Sequence, residues 1–135
     1  MLPKILIVDD EENHRKTLAI GLRLEGFEVF DARDGERALE WLEHHEADLA
    51  IIDLMMPGIN GLDLVRRVRM RHPDVRLVLT SAYHLSERQL ERASVGPIAF
   101  VSTSRTSGWR IRTRRTRSRP LMPGIIRSMI ARSAS

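Results

Sequence analysis

Cysteine is absent from the 135 residues. That excludes a disulfide framework and any Cys-ligated metal site. No apolar run reaches the roughly 18 residues of a membrane-spanning helix, so none is expected. The opening Met1-Leu2-Pro3-Lys4 runs straight into a strand pattern and does not read as a signal peptide, so a cytoplasmic protein is expected. Acid is missing from residues 105–135, which carry nine arginines; all 18 acids lie in residues 1–104, against 13 of the 22 basic residues. The sequence pI near 10.5 therefore describes the tail. It is no sign that the rest of the chain binds nucleic acid. The length suits one domain with a real core.

What is present is an alternation of short apolar runs and amphipathic stretches. Lys4–Val8 reads as a strand, and residues 13–25 as a helix with Leu18, Ala19 and Leu22 on one face and Gly26 as its stop. Residues 27–32 alternate as a second strand. Asp34-Gly35 opens a second helix, with Ala38, Leu39 and Leu42 as its apolar stripe. Residues 48–53 form a third apolar run ending at Asp53. Asn60 is placed to cap a third helix that offers Leu62, Leu64, Val65 and Val68 to the core and breaks at His72-Pro73-Asp74. Residues 75–79, ending at Thr80, read as a fourth strand. Residues 86–93 read as a fourth helix capped by Ser86, Gly96-Pro97 as a turn, and residues 98–101 as a fifth strand. Such alternation implies βαβ units: an α/β, flavodoxin-like, doubly wound five-stranded parallel sheet of order 2-1-3-4-5, with helices on both faces.

In such a sheet the C-terminal strand ends form the ligand-binding edge. Asp53 closes the third strand, and Asp9-Asp10-Glu11-Glu12 follows the first. If those strands are parallel neighbours, Asp9, Asp10 and Asp53 converge. Three carboxylates in one pocket repel unless a cation sits among them, and hard oxygen donors suit Mg²⁺. Taken singly, the acids near Asp9 read as a helix start, Asp53 as a loop cap and Thr80 as a strand-end polar residue. Trp41, Phe27 and Phe30 read as core or boundary residues, His44-His45 as an exposed helix end, and His14 as a surface residue rather than a catalytic base.

The alternation fails near Thr103, where a fifth amphipathic helix is due. The chain there turns to Arg, Ser, Thr and Pro, without a core stripe until Leu121, Met122, Ile125, Ile126, Met129 and Ile130. The division expected is residues 1–102 as the domain and 103–135 as an atypical tail, with a short helix near 123–132.

Asp9-Asp10, Asp53-Leu54-Met55-Met56-Pro57-Gly58-Ile59-Asn60-Gly61 and Thr80-Ser81-Ala82, each at a strand's C-terminal end, together resemble the receiver domain of bacterial two-component response regulators. The resemblance covers about residues 3–102. It implies that Asp53 is the phosphoacceptor, an Asp carboxylate acting as nucleophile toward phosphorus. It implies that Asp9, Asp10, Asp53 and the backbone carbonyl of Met55 hold Mg²⁺. Thr80 would donate to a phosphoryl oxygen, Phe100 would be the aromatic that switches rotamer with it, and Gly61 would relieve crowding behind the site. A sensor histidine kinase or phosphotransfer protein would be the partner, with a homodimer as a further expectation, and the protein would be a switch rather than an enzyme. The chain departs from the family at Thr103, where a lysine is expected; the tail has no lysine at all. A threonine hydroxyl cannot replace that ammonium.

The departure keeps other readings in play. One is a degenerate receiver serving as a protein-interaction scaffold. Another is the frame-shifted remnant of a longer regulator, suggested by the abrupt change of composition. Nucleic-acid contact by the arginine tail, with Trp109 stacking on a base, would be non-specific. An aspartyl-phosphate hydrolase needs an acid/base Asp two residues after the nucleophile, and Met55 stands there.

Overall fold

The computed structural model describes residues 2–81, 88, 99–102 and 110–113. In chain order the elements are β1 (Lys4–Val8), α1 (Glu12–Leu24), β2 (Glu28–Ala32), α2 (Gly35–His44), β3 (Leu49–Asp53), α3 (Gly61–Arg71), β4 (Arg76–Ser81), β5 (Ala99–Ser102) and β6 (Arg110–Thr113). They form one six-stranded sheet of order β2-β1-β3-β4-β5-β6. The first five strands pair in parallel, in the order expected of the flavodoxin-like fold.

β1 and β3 are apolar on both faces because helices cover both. Successive strand residues point to opposite sides of a sheet. Ile5, Ile7, Leu49, Ile51 and Val78 therefore pack against Ala19 and Leu22 of α1 on one face. Leu6, Val8, Ala50, Ile52, Leu77 and Leu79 pack against Ala38 and Leu42 of α2 and Leu64, Val65 and Val68 of α3 on the other. The four residues from Ile5 to Val8 are at most 1% exposed. Burial of this completeness stabilises the fold by roughly 1.5–3 kcal/mol per large side chain.

The helix starts follow their capping residues. Asp34 accepts a hydrogen bond from the Arg37 N–H (2.8 Å), and Asn60 accepts one from the Asp63 N–H (3.0 Å). These satisfy backbone donors that a first helical turn leaves unpaired. Trp41 and Phe30 pack together with ring centroids 4.9 Å apart, and Trp41 stacks on His45 at 4.6 Å.

Several boundaries shift by a residue from expectation, and one of them touches the site. β4 continues through Thr80 to Ser81, because Ser81 still pairs with Ser102 of β5. The five parallel strands stand in the expected order, and a sixth, β6, is added to the sheet. β6 lies within the segment read as a tail and runs antiparallel to β5, with Ser102 opposite Arg110 and Ala99 opposite Thr113. Ile111 and Thr113 alternate there with arginines, a pattern compatible with an edge strand whose one partner is a backbone ladder. The expected helix over 86–93, the expected position of the missing lysine at Thr103 and the expected helix near 123–132 lie outside the described residues.

Candidate functional site

The sheet's C-terminal edge is built by register. Val8 pairs with Ile52 in β1 and β3, so the next residues, Asp9 and Asp53, come level. Asp53 in turn pairs with Thr80. Carboxylate oxygens of Asp9, Asp10 and Asp53 all lie within 4.8 Å of one another. Asp9 is buried, Asp53 half-buried and Asp10 exposed, so the cluster opens to solvent on one side.

Asp53 is held by the loop it begins. Its Oδ1 accepts a hydrogen bond from the Met55 N–H at 3.2 Å. The Leu54 N–H donates to the Thr80 carbonyl (2.8 Å), and the Gly61 N–H donates to the Leu54 carbonyl (3.0 Å). Gly61 is required by space: a Cβ there would lie 2.4 Å from the Asp53 carbonyl oxygen and 2.6 Å from the Leu54 Cα. Gly58 is required by backbone, since its φ of 76° serves the turn after Pro57. The Met55 side chain is exposed.

Crowding of like charge marks the cluster. Burial pushes the Asp53 carboxyl up to about 6. The Met55 N–H opposes that rise, while the charges of Asp9 and Asp10 and a hydrogen bond with Asp9 add to it. A donor set of three carboxylates, one of them with its pKa raised by burial and by its neighbours' charge, fits a small hard divalent cation, which would relieve the repulsion.

Asp9 is anchored more firmly than the sequence suggests. Its Oδ1 accepts from the Glu11 N–H at 2.9 Å, and its Oδ2 accepts from His14 Nδ1. Arg15, buried on α1, donates through Nη1 to the Asp9 carbonyl (2.8 Å) and through Nε to Asp31 Oδ2 (2.6 Å). His14 is exposed, as expected of a surface residue, and reaches Asp9 from there; Arg15 was not anticipated at all. The hydrogen bond to Asp9 raises the His14 pKa against the opposing effect of partial burial. The spacing of His14 five residues after Asp9, one turn into a helix, is the one sequence signal for this contact.

Thr80 is buried beside the cluster, and its hydroxyl donates to the Ile52 carbonyl at a long 3.5 Å rather than to Asp53. Phe100 lies in β5 level with Leu79, one row behind Thr80. The register therefore brings Asp9, Asp10, Asp53 and Thr80 together. Among the described residues, no helix is long and apolar enough to cross a membrane.

Residues 5–104 match the family model of the response regulator receiver domain. The chain is 43% identical over 91 residues to the phosphate regulon transcriptional regulatory protein PhoB of Rhizobium meliloti, covering 65% of this chain and 40% of that protein. It is 34% identical over 97 residues to a cyclic di-GMP phosphodiesterase of Thermotoga maritima, covering 72% of this chain and 26% of that protein. The chain thus spans less than half the length of these curated relatives. Among solved structures it resembles the response regulator TrrA of Thermotoga maritima in complex with Mg²⁺-BeF, at 35% identity and a TM-score of 0.67, covering 78% of this chain and 90% of that one. With the acidic cluster at the C-terminal edge of a β2-β1-β3-β4-β5 sheet, this chain belongs to the response regulator receiver domain family.

Proposed function

We propose that Asp53 accepts a phosphoryl group from a sensor histidine kinase or phosphotransfer protein in the cytoplasm, and that Asp9, Asp10, Asp53 and the Met55 carbonyl hold Mg²⁺ for that transfer. The convergence of three carboxylates within 4.8 Å at the strand ends carries this reading. The cation would neutralise the carboxylates and the phosphoryl oxygens as charge shifts between them. An Asp53 oxygen attacks phosphorus while the bond to the donor breaks, and the donor leaves with that bond's electron pair. At neutral pH a carboxyl that titrates near 6 is largely ionised and ready to attack. The Met55 N–H keeps one Asp53 oxygen engaged and so orients the other. The long Thr80–Ile52 hydrogen bond is weak enough to be exchanged for one to a phosphoryl oxygen, which would turn the Thr80 hydroxyl toward Asp53, with Phe100 as the aromatic that the family resemblance couples to it. The protein on this reading is a switch and not a metabolic enzyme, with residues 1–102 as the receiver and residues 103–135 as an addition of separate character.

The test is intact mass after incubation with a small acyl phosphate, with and without Mg²⁺, beside Asp53→Asn. A Mg²⁺-dependent gain of one phosphoryl group, lost in the variant, is expected. No gain in folded protein would overturn the reading. A second reading, a receiver used as a protein-interaction scaffold, is favoured by Thr103 in place of the expected lysine. It predicts neither Mg²⁺ nor beryllofluoride binding.

A further inference from the structure

Two side chains of α1 hold Asp9: Arg15 by the Asp9 main chain and His14 by the Asp9 carboxylate. All three oxygens of Asp9 are engaged by the residues that follow it. The Glu11 N–H takes Oδ1, Arg15 takes the carbonyl, and His14 takes Oδ2. The first is a backbone contact and the second fixes only the main chain. The imidazole and the Glu11 N–H therefore set between them how the Asp9 carboxylate is turned, and of the two only the imidazole can be removed by substitution. Asp9 is 4% exposed while the His14 side chain is 47% exposed, so this hydrogen bond to a carboxylate is shielded from water on the Asp9 side only. His14 itself is not among the three residues whose oxygens gather within 4.8 Å, so it acts through Asp9 and not on a bound ion directly.

We propose that His14 is a positioning residue of the cation pocket, fixing the Asp9 carboxylate in the orientation in which it serves a divalent cation together with Asp10 and Asp53. This role rests on the reading of those carboxylates as cation ligands. Partners that hold a ligating group in place commonly change metal affinity by about 10–100-fold. Asparagine is the informative replacement, because its amide N–H lies close to where Nδ1 lies in histidine and can donate to the same oxygen. Alanine removes the donor, and leucine removes it while keeping bulk.

The experiment is calorimetric titration of Mg²⁺, and separately of Mn²⁺, into the full chain carrying His14→Asn, His14→Ala, His14→Leu or Asp53→Asn, with urea midpoints measured in the absence of the cation. His14→Ala and His14→Leu are expected to weaken Mg²⁺ binding by about 10-fold or more. His14→Asn is expected to stay within about 3-fold of the parent, while the urea midpoints of the three His14 variants stay together. Parent-like affinity in His14→Ala would overturn the proposal. So would an asparagine variant as weak as alanine, because no hydrogen bond would then be at stake. Equal affinity in the parent and Asp53→Asn would overturn the cation-pocket reading itself, and the role of His14 with it.

Discussion

The two ends of the same sheet treat acidic side chains in opposite ways. At the N-terminal end, Asp48 accepts from the Lys4 N–H at 2.8 Å, and Glu43 is paired with Arg71 at 2.5 Å. Those acids are balanced by the donors beside them. At the C-terminal end, Asp9, Asp10 and Asp53 face one another, and burial with like charge holds Asp53 near 6. The same strands thus end in a satisfied edge on one side and an electrostatically loaded one on the other. The difference singles out the edge proposed above as the site: there a bound cation or a covalent group would relieve repulsion that the other edge does not carry.

The comparison breaks most visibly at Gly61, which lets the loaded edge close. Gly61→Val should cost about 3 kcal/mol or more, because its Cβ meets backbone rather than a yielding side chain. Urea unfolding would measure it, and a cost near zero would mean the loop behind Asp53 is free to move. Asp53→Asn should do the reverse in cation-free protein, raising stability by about 1 kcal/mol at pH 7.5 once solvent screening is allowed for. The sign follows from linkage. A carboxyl titrating near 6 in the folded state and near 4 in the unfolded state binds its extra proton on folding between those values. Its stabilising contribution is therefore present below about pH 4 and lost as pH rises through about 6. The advantage of the Asn variant should open over that window, level off above pH 7 and shrink with saturating Mg²⁺. An advantage independent of pH would remove repulsion as its cause.

At the satisfied end the sign should invert. Asp48→Ala leaves the Lys4 N–H without its acceptor and should cost about 1 kcal/mol in the same urea experiment. Glu43→Gln should change stability by no more than about 0.5 kcal/mol, since both partners of that ion pair are largely exposed. If removing an acid stabilised the protein equally at both ends, the contrast between them would fail.

Much of this was legible in the sequence, for local reasons. The apolar runs of β1 and β3, the caps Asp34 and Asn60, and the carboxylates at the strand ends depend on nearest neighbours and on a sheet order that alternating elements imply. What escaped depends on non-local placement. Among the described residues β6 pairs with β5, and its alternating arginines carry no core-facing signature in the sequence. Arg15 resembles any helix-surface arginine until the rotation of α1 sets its guanidinium against Asp9 and Asp31. His14 was read as a surface residue rather than a catalytic base, and it is exposed, but its contact with Asp9 was missed. Its contact depends on how the Asp9 carboxylate turns, which periodicity does not encode.

The position of β1 between β2 and β3 bears on synthesis as well as on the finished fold. Of the described strands the earliest made is an interior one, and its second partner is separated from it by more than 40 residues, as the Lys4–Asp48 contact shows. Until β3 emerges, one edge of the most apolar strand stays open, able to pair with any other extended chain. The interval between making β1 and making β3 is thus the period of greatest exposure to misassembly, before the acidic edge exists as a site at all.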